Sequence, residues 1–463
     1  MANRAFAAKK LTDAVIWTVR HKSLGSVILS TIDPFLKLIV RFSRWKSLPR
    51  LRQDEFFMLR ALLFSALRIE ASEKMMNLLK TLLGLEYPPD LKDVPVFMVI
   101  SPGKMCNLQC PDCYANSATE RNILDYEVLS RIVAEAKRFW RMRFFVISGG
   151  EPFIYKNNGK GILDLAEENL DSLFLVFTNG TMIDRDYAKR MAELANITPA
   201  ISVEGMRETT DKRRGKGIFD KTLEAMENLR NARVPFGLSI TATRHNAHEI
   251  LSDQFIEFFF YKQKVAYAWI FQYMPIGRNP NPQLIPTPEQ RIEMWHRSWQ
   301  IIKQKKIMIA DFWNQGTVSQ GCLAGGRQGG YFHIDWNGDV SPCVFFPYHN
   351  TNIYEVYKNG KCIKDVLSTP LFQKVRQWQE EYGLNQKFLT SKTDWLRPCP
   401  IRDHYEEATK IIHFAQAKGT DFSPDSTVNA SSYYNKMVEY DKILEKITRK
   451  IWESQYLRTK SLS

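Results

Sequence analysis

The chain has 463 residues, 44% of them hydrophobic and 25% charged, with 64 Lys and Arg against 50 Asp and Glu for a formal charge of +14. That length buries a large core in two or three domains. Seven cysteines, an odd number, without a cleavable secretory signal argue against a disulfide framework.

The basic excess is regional. Residues 1–90 hold about 15 Lys and Arg against 8 Asp and Glu, roughly half of the surplus in the first fifth of the chain. The apolar stretch LGSVILSTIDPFLKLIVRF is interrupted by Asp33, Pro34 and Lys37, whereas a spanning helix needs about 20 mostly apolar residues. No transmembrane helix is expected, and the expected location is cytoplasmic. Residues 20–52 set Arg20, Lys22, Lys37, Arg41, Arg44 and Lys46 beside Ile39, Val40, Phe42 and Trp45. This basic amphipathic pattern suits either a helical cap packed on a core or peripheral contact with anionic lipid. No recognised nucleic-acid-binding motif accompanies the charge, which argues against nucleic acid as a partner.

Residues 1–92 are thus expected to form a basic helical N-terminal segment. From residue 93 apolar runs and helical patterns alternate. VFMVI ends at Ile100, a helical pattern runs over Leu124–Trp140, and FFVIS ends at Ser148. Strands ending at Thr178, Val203, Thr243 and Tyr273 follow, with helices starting near Tyr187, Phe219 and Glu249. Six strand–helix units over 93–305 predict an α/β fold, a parallel sheet curved into a partial (β/α)6 TIM-like barrel. Functional groups of such barrels sit on loops after the carboxyl ends of strands, where this chain has Gly149-Gly150-Glu151-Pro152, Asn179-Gly180, Glu204-Gly205 and Pro275-Ile276-Gly277-Arg278.

The loop after the first strand is CNLQCPDCY: Cys106, Cys110 and Cys113, spaced by three residues and then two, followed by Tyr114. That spacing aims three thiolates at one inorganic cluster. Iron–sulfur sites ordinarily take a fourth cysteine, and the next one is more than 200 residues away, so one iron would keep an open position. A structural zinc site would want paired Cys/His units, and the nearest histidines, His21 and His245, are distant.

The cysteine loop, the GGEP run and the ISVEG string together resemble the radical S-adenosylmethionine (SAM) superfamily. The resemblance implies a three-cysteine 4Fe–4S cluster chelated by SAM, reductive cleavage of SAM to a 5'-deoxyadenosyl radical, and hydrogen abstraction from a substrate. It implies SAM contacts at Tyr114, Gly149, Gly150 and Glu151 (amino group), at Ser202 and Glu204 (ribose), and at Arg214 (carboxylate), with Arg213 as the alternative read as surface charge. Ile240 and Thr241 are expected near the adenine.

Further on, GCLAGGRQGGYFHIDWNGDVSPC places Cys322, Gly338 and Cys343 in a pattern that resembles the auxiliary-cluster extensions called SPASM and twitch, with a hairpin turning at Trp336-Asn337-Gly338. Region 306–413 is expected to hold one auxiliary 4Fe–4S cluster on Cys322, Cys343 and Cys399, with Cys362, Asp403, His404 or an open iron completing it; zinc and a buried, non-ligating Cys362 are the alternatives. Residues 414–463 are expected to add a closing helix and tail. The expected activity is radical modification of a peptide or protein, supplied with electrons by a donor such as flavodoxin or ferredoxin. A lipid or membrane-associated substrate and a non-catalytic iron–sulfur electron carrier are the alternatives.

Overall fold

In the computed structural model, residues 50–68, 72, 74, 75, 78, 94–384, 390, 392–421 and 430–457 are described. Most of the basic amphipathic stretch 20–52 and the last residues of the tail lie outside them.

The sheet is built by seven parallel strands: β1 (Met98–Ile100), β2 (Phe144–Ile147), β3 (Leu173–Thr178), β4 (Ile197–Val203), β5 (Gly237–Ala242), β6 (Tyr267–Gln272) and β7 (Met308–Asp311). Two short strands, β8 (His333–Ile334) and β9 (Val340–Ser341), complete the order β7-β6-β5-β4-β3-β2-β1-β8-β9. The apolar runs are continuous because both faces are covered. Side chains alternate along each strand: Met98, Ile100, Phe145, Ile147, Phe174 and Val176 join the core under the helices, while Val99, Val146, Leu175 and Ala200 join a second cluster on the concave side.

On the convex face, α1 (Arg50–Arg68) precedes the sheet and α2 (Tyr126–Trp140) follows β1. Leu129, Ile132, Val133 and Ala136 of α2 are buried, a stripe at helical spacing. Around the sheet follow α3 (Ile162–Glu167), α4 (Arg185–Leu194), α5 (Arg207–Arg214), α6 (Ile218–Asn231) and α7 (Pro288–Gln300). The chain closes with α8 (Tyr405–Phe414) and α9 (Ser431–Trp452). On α9, Tyr433, Met437, Tyr440, Leu444, Thr448 and Trp452 are buried, three or four residues apart. Helix α1 packs against the sheet's β7 end: Ser65 Oγ accepts the Met308 N–H at 3.0 Å, and buried Asp54 accepts from Thr317 Oγ1 (3.1 Å) and Tyr456 OH (2.8 Å). No helix among the described residues is long and apolar enough to cross a membrane.

Two features of the sheet involve residues beyond 305. A seventh parallel strand, β7, follows residue 305 and pairs with β6 at Ala268–Ile309 and Trp269–Ala310. Strand β8 pairs in parallel with β1, so region 306–413 completes the barrel sheet on both sides instead of standing apart from it. The expected hairpin is present, with β9 antiparallel to β8 and a turn at Gly338, whose φ of 81° is left-handed.

Candidate functional site

The carboxyl ends of β1 to β6 open into one cavity, and Cys106, Cys110 and Cys113 line it. Their loop is held from both sides. Cys106 N–H donates to Ala118 O (2.8 Å) and Asn116 N–H to Cys113 O (3.1 Å). From the end of β6, Arg278 reaches across: its guanidinium donates to Cys110 O (2.7 Å) and Ser117 O (2.6 Å), and its N–H to Cys113 O (2.9 Å). Gly277 lets this happen, since a Cβ there would stand 2.2 Å from Cys113 O.

On the neighbouring loop, Gly150 N–H donates to Gly103 O and Glu151 N–H to Met105 O, both at 2.9 Å. Gly149 and Gly150 line the cavity. Tyr114 lines it too, with its hydroxyl 2.6 Å from Ser148 Oγ, tying the cysteine loop to the end of β2. Glu151 does not line it. Its carboxylate is turned behind the wall, accepting from Phe153 N–H (3.1 Å), Thr178 Oγ1 (2.8 Å) and Asn179 N–H (2.8 Å), and it is Thr178 and Asn179 that face the cavity. Burial pushes the Glu151 carboxyl up from its usual range against these donors.

Glu204 is likewise behind the wall. Its Oε1 accepts from Arg213 Nη1 (2.6 Å) and from Arg214 Nε (2.8 Å) and Nη2 (2.5 Å), and its Oε2 from the Thr241 N–H (3.2 Å). Both arginines, Ser202 and Thr241 line the cavity; Ile240 faces the opposite core. In this arrangement Glu151 is held by backbone amides and the Thr178 hydroxyl, and Glu204 by the two arginines and the Thr241 amide. The reading of Arg213 as surface charge is corrected: Nε donates to Asp112 Oδ1 at 2.8 Å, so Arg213 ties the cysteine loop to the end of β4. Asp112, between Cys110 and Cys113, was not singled out from the sequence. A charged residue inside a thiolate loop needs a partner, and that was the available signal.

Below this polar mouth the wall is apolar. Phe97, Phe144, Val146, Leu175, Phe177, Trp269 and Phe271 line it, closed by Phe312 and Phe345 from beyond β7. A second, smaller cavity on the far side of Phe312, Leu323 and Phe345 is lined by Cys322, Cys343 and Cys399. Burial raises all three thiols, Cys343 to about 12; Cys322 raises Cys343 and Cys399 further, and Cys343 raises Cys399. Cys362 is elsewhere. It precedes a turn at Ile363–Ser368, its N–H donates to Asp365 Oδ2 (2.8 Å), and the next residue's N–H donates to Glu135 Oε2 on α2 (2.8 Å). Asp403 and His404 are committed too. Asp403 pairs with fully buried Arg291, and His404 Nε2 lies 2.9 Å from Arg397 O between Trp378 and Tyr382. The structure thus groups three of the four C-terminal cysteines and sets Cys362 apart, while Asp403 stays beside them, its Oδ2 accepting the Cys399 N–H at 3.3 Å.

The donor sets suit iron–sulfur clusters. Backbone N–H groups point at the sulfurs, from Leu108 to Cys106 (3.4 Å), Ala324 to Cys322 (3.4 Å) and Phe345 to Cys343 (3.3 Å), the hydrogen bonds a thiolate on a metal uses. Among the described residues no three His, Cys, Asp or Glu side chains converge closely enough for a single metal ion. A cluster, in contrast, takes each thiolate on a different iron.

A parallel half-barrel with three thiols at its mouth is an α/β fold with a site suited to a metal cluster at its strand ends. The profile of the radical SAM superfamily matches residues 100–252. The chain is 31% identical over 169 residues to the Fe-coproporphyrin III synthase of Methanosarcina barkeri, covering 36% of this chain and 41% of that protein. It is 29% identical over 300 residues to the mycofactocin maturase MftC of Mycolicibacterium smegmatis, covering 62% and 71%. Streptococcus suis SuiB bound to its precursor peptide SuiA shares the fold, with a TM-score of 0.52 at 19% identity over 66% of this chain and 71% of SuiB. Residues 100–252 thus match the radical SAM superfamily, and the relatives that the chain resembles are a synthase and a maturase.

Proposed function

We propose that this enzyme cleaves SAM reductively at a cluster held by Cys106, Cys110 and Cys113 and abstracts hydrogen from a peptide or protein substrate. The observation that carries the reading is the convergence of those thiols with Gly149, Gly150, Asn179, Ser202, Arg213 and Arg214 on one cavity at the strand ends. When bound, the reduced cluster would supply the electron that breaks the SAM carbon–sulfur bond. The chain's own residues bind, orient and exclude water. The peptide groups of Gly149 and Gly150, with Thr178 and Asn179, offer acceptors for an ammonium. Arg213 and Arg214 offer the cationic edge for a carboxylate, held in place by Glu204 behind them. Ser202 and Thr241 offer hydroxyls for a sugar.

The peptide substrate class rests on likeness to the maturase MftC and to SuiB with its precursor peptide. The auxiliary cluster would sit on Cys322, Cys343 and Cys399. Electrons would come from a small carrier of the flavodoxin or ferredoxin kind. A second reading, an alkyl or lipid substrate, is favoured by the wall. On β2 the lining runs from Phe144 to Ser148 and on β6 from Trp269 to Tyr273, an apolar well roughly 13 Å deep at the rise of a strand.

The test is anaerobic reconstitution with iron and sulfide, then SAM and dithionite, with 5'-deoxyadenosine read by mass spectrometry. Production by the wild type and its loss in Cys110→Ala, with the barrel still folded, is the expected result. Cleavage that survives Cys110→Ala sinks the assignment. Deuterium passing into 5'-deoxyadenosine from a labelled peptide, as against a labelled acyl chain, separates the two substrate readings.

A further inference from the structure

One side chain of the barrel cavity reaches a thiol of the second cavity. Tyr331 is 1% exposed, its ring lines the barrel cavity, and its hydroxyl lies 2.9 Å from Cys343 Sγ in the second. The ring cannot swing freely. It stacks on Phe97 (centroids 4.8 Å apart, planes at 15°) and meets Phe312 edge-on at 6.1 Å. The backbone is fixed as well: Tyr331 N–H donates to Leu323 O (2.8 Å), and Gly326 N–H donates to Tyr331 O (2.9 Å). The hydroxyl is therefore aimed at the sulfur by packing.

We propose that Tyr331 is a positioning residue for the auxiliary centre: its phenol donates a hydrogen bond to the Cys343 thiolate, raises the reduction potential of the group held there, and equips that group to accept an electron from the barrel cavity. The proposal rests on the reading of Cys322, Cys343 and Cys399 as cluster ligands. Its physical basis is charge. One-electron reduction puts more negative charge on the sulfurs, and a donor aimed at a thiolate stabilises the reduced form more than the oxidised one. The Phe345 N–H gives Cys343 Sγ a backbone donor at 3.3 Å, as Ala324 does for Cys322. The phenol is the additional donor, and it stands on the wall shared with the cavity where substrate would lie.

The test uses the full chain with Cys106, Cys110 and Cys113 all replaced by Ala, so that any remaining iron–sulfur signal belongs to the C-terminal thiols. Its midpoint potential is measured by redox titration monitored by electron paramagnetic resonance, with Tyr331 intact, in Tyr331→Phe, and with Tyr331 replaced by difluorotyrosine, a more acidic donor. Iron per chain and circular dichroism accompany each sample. The expected result is a fall in Tyr331→Phe, so that at the parent's midpoint the reduced-to-oxidised ratio drops about tenfold, or 59 mV for one electron. A rise is expected with difluorotyrosine. An unchanged potential in both samples at equal iron overturns the proposal while leaving the ligand assignment standing. A parent that holds no iron overturns the ligand assignment and this proposal with it. Should Tyr331→Phe fail to fold, the difluorotyrosine sample, which keeps the shape, decides alone.

Discussion

Replacing Gly150 by Ala tests whether the turn after β2 sets the position of the cysteine loop. A Cβ on Gly150 would stand 2.1 Å from Met105 O and 2.5 Å from Lys104 O, where real Cβ contacts do not come under 3.0 Å. The backbone entering Cys106 must therefore retreat by at least 0.9 Å, with it the carbonyl that accepts the Glu151 N–H. Gly150 does not have a left-handed φ, so the effect is close approach alone. Overpacking of this kind costs about 1–3 kcal/mol, and a displacement near 1 Å at a reacting centre costs about a hundredfold in rate. The assay pairs thermal melting with iron per chain and the rate of 5'-deoxyadenosine formation. Gly103→Ala is the control, because its Cβ would meet only side chains, the nearest 3.4 Å away on Tyr155; it should melt and turn over like the wild type. Full iron and a SAM-cleavage rate within about threefold of wild type in Gly150→Ala would refute the reasoning.

Arg278→Lys should loosen the cysteine loop, since one ammonium cannot reproduce the planar fork that bridges Cys110 O and Ser117 O; faster iron loss to a chelator, with an unchanged far-ultraviolet spectrum, is the expected reading. Arg291→Met strands Asp403 in the core with both partners formerly fully buried, a loss of about 3–5 kcal/mol by denaturant titration that Arg291→Met with Asp403→Leu should partly restore. Burial drives the His333 and His404 rings down to about 3 from an ordinary 6.5. A depressed folded value means that the unfolded chain binds the extra proton, so stability is complete above pH 6.5 and falls as pH drops from there toward 3, by a few kcal/mol at most per ring, or about 1.4 kcal/mol per pH unit. His333→Gln, which can still meet Ser101 and Ser341, should flatten that slope in urea melts between pH 7 and 4; an unchanged slope would assign the acid sensitivity to other groups.

The strands and the cysteine loop were legible because their signals are local: apolar runs bounded by turns, and thiols a few residues apart. Strand β7 was not, because MIAD is four residues long and resembles a loop until β6 lies beside it. The parallel pairing of β8 with β1 joins residues more than 230 positions apart, which no local pattern reports. Direction of side chains was the other gap. Glu151 and Glu204 were placed on the right loops, but whether a carboxylate faces the cavity or braces its wall depends on donors from β3, α5 and β5. Arg213 and Arg214 look alike in sequence; the presence of Asp112 across the cavity mouth distinguishes them. Cys362 has a cysteine's chemistry in the expected region, yet its turn is anchored to α2, away from the other three thiols.

The β1–β8 pairing also has a consequence in time. Val96, Val99 and Ser101 donate their N–H groups to Gly330, Phe332 and Ile334, so one side of the strand that carries the cysteine loop has no partner until residue 334 has been made. At a ribosomal pace of about 5–20 residues per second, that edge waits on the order of ten to fifty seconds after β1 emerges. For that interval the strand leading to Cys106 is three residues long, apolar, and open to pairing with another chain. Nascent chains arrested before residue 330 should therefore self-associate, and those arrested after α9 has cleared the ribosome should not.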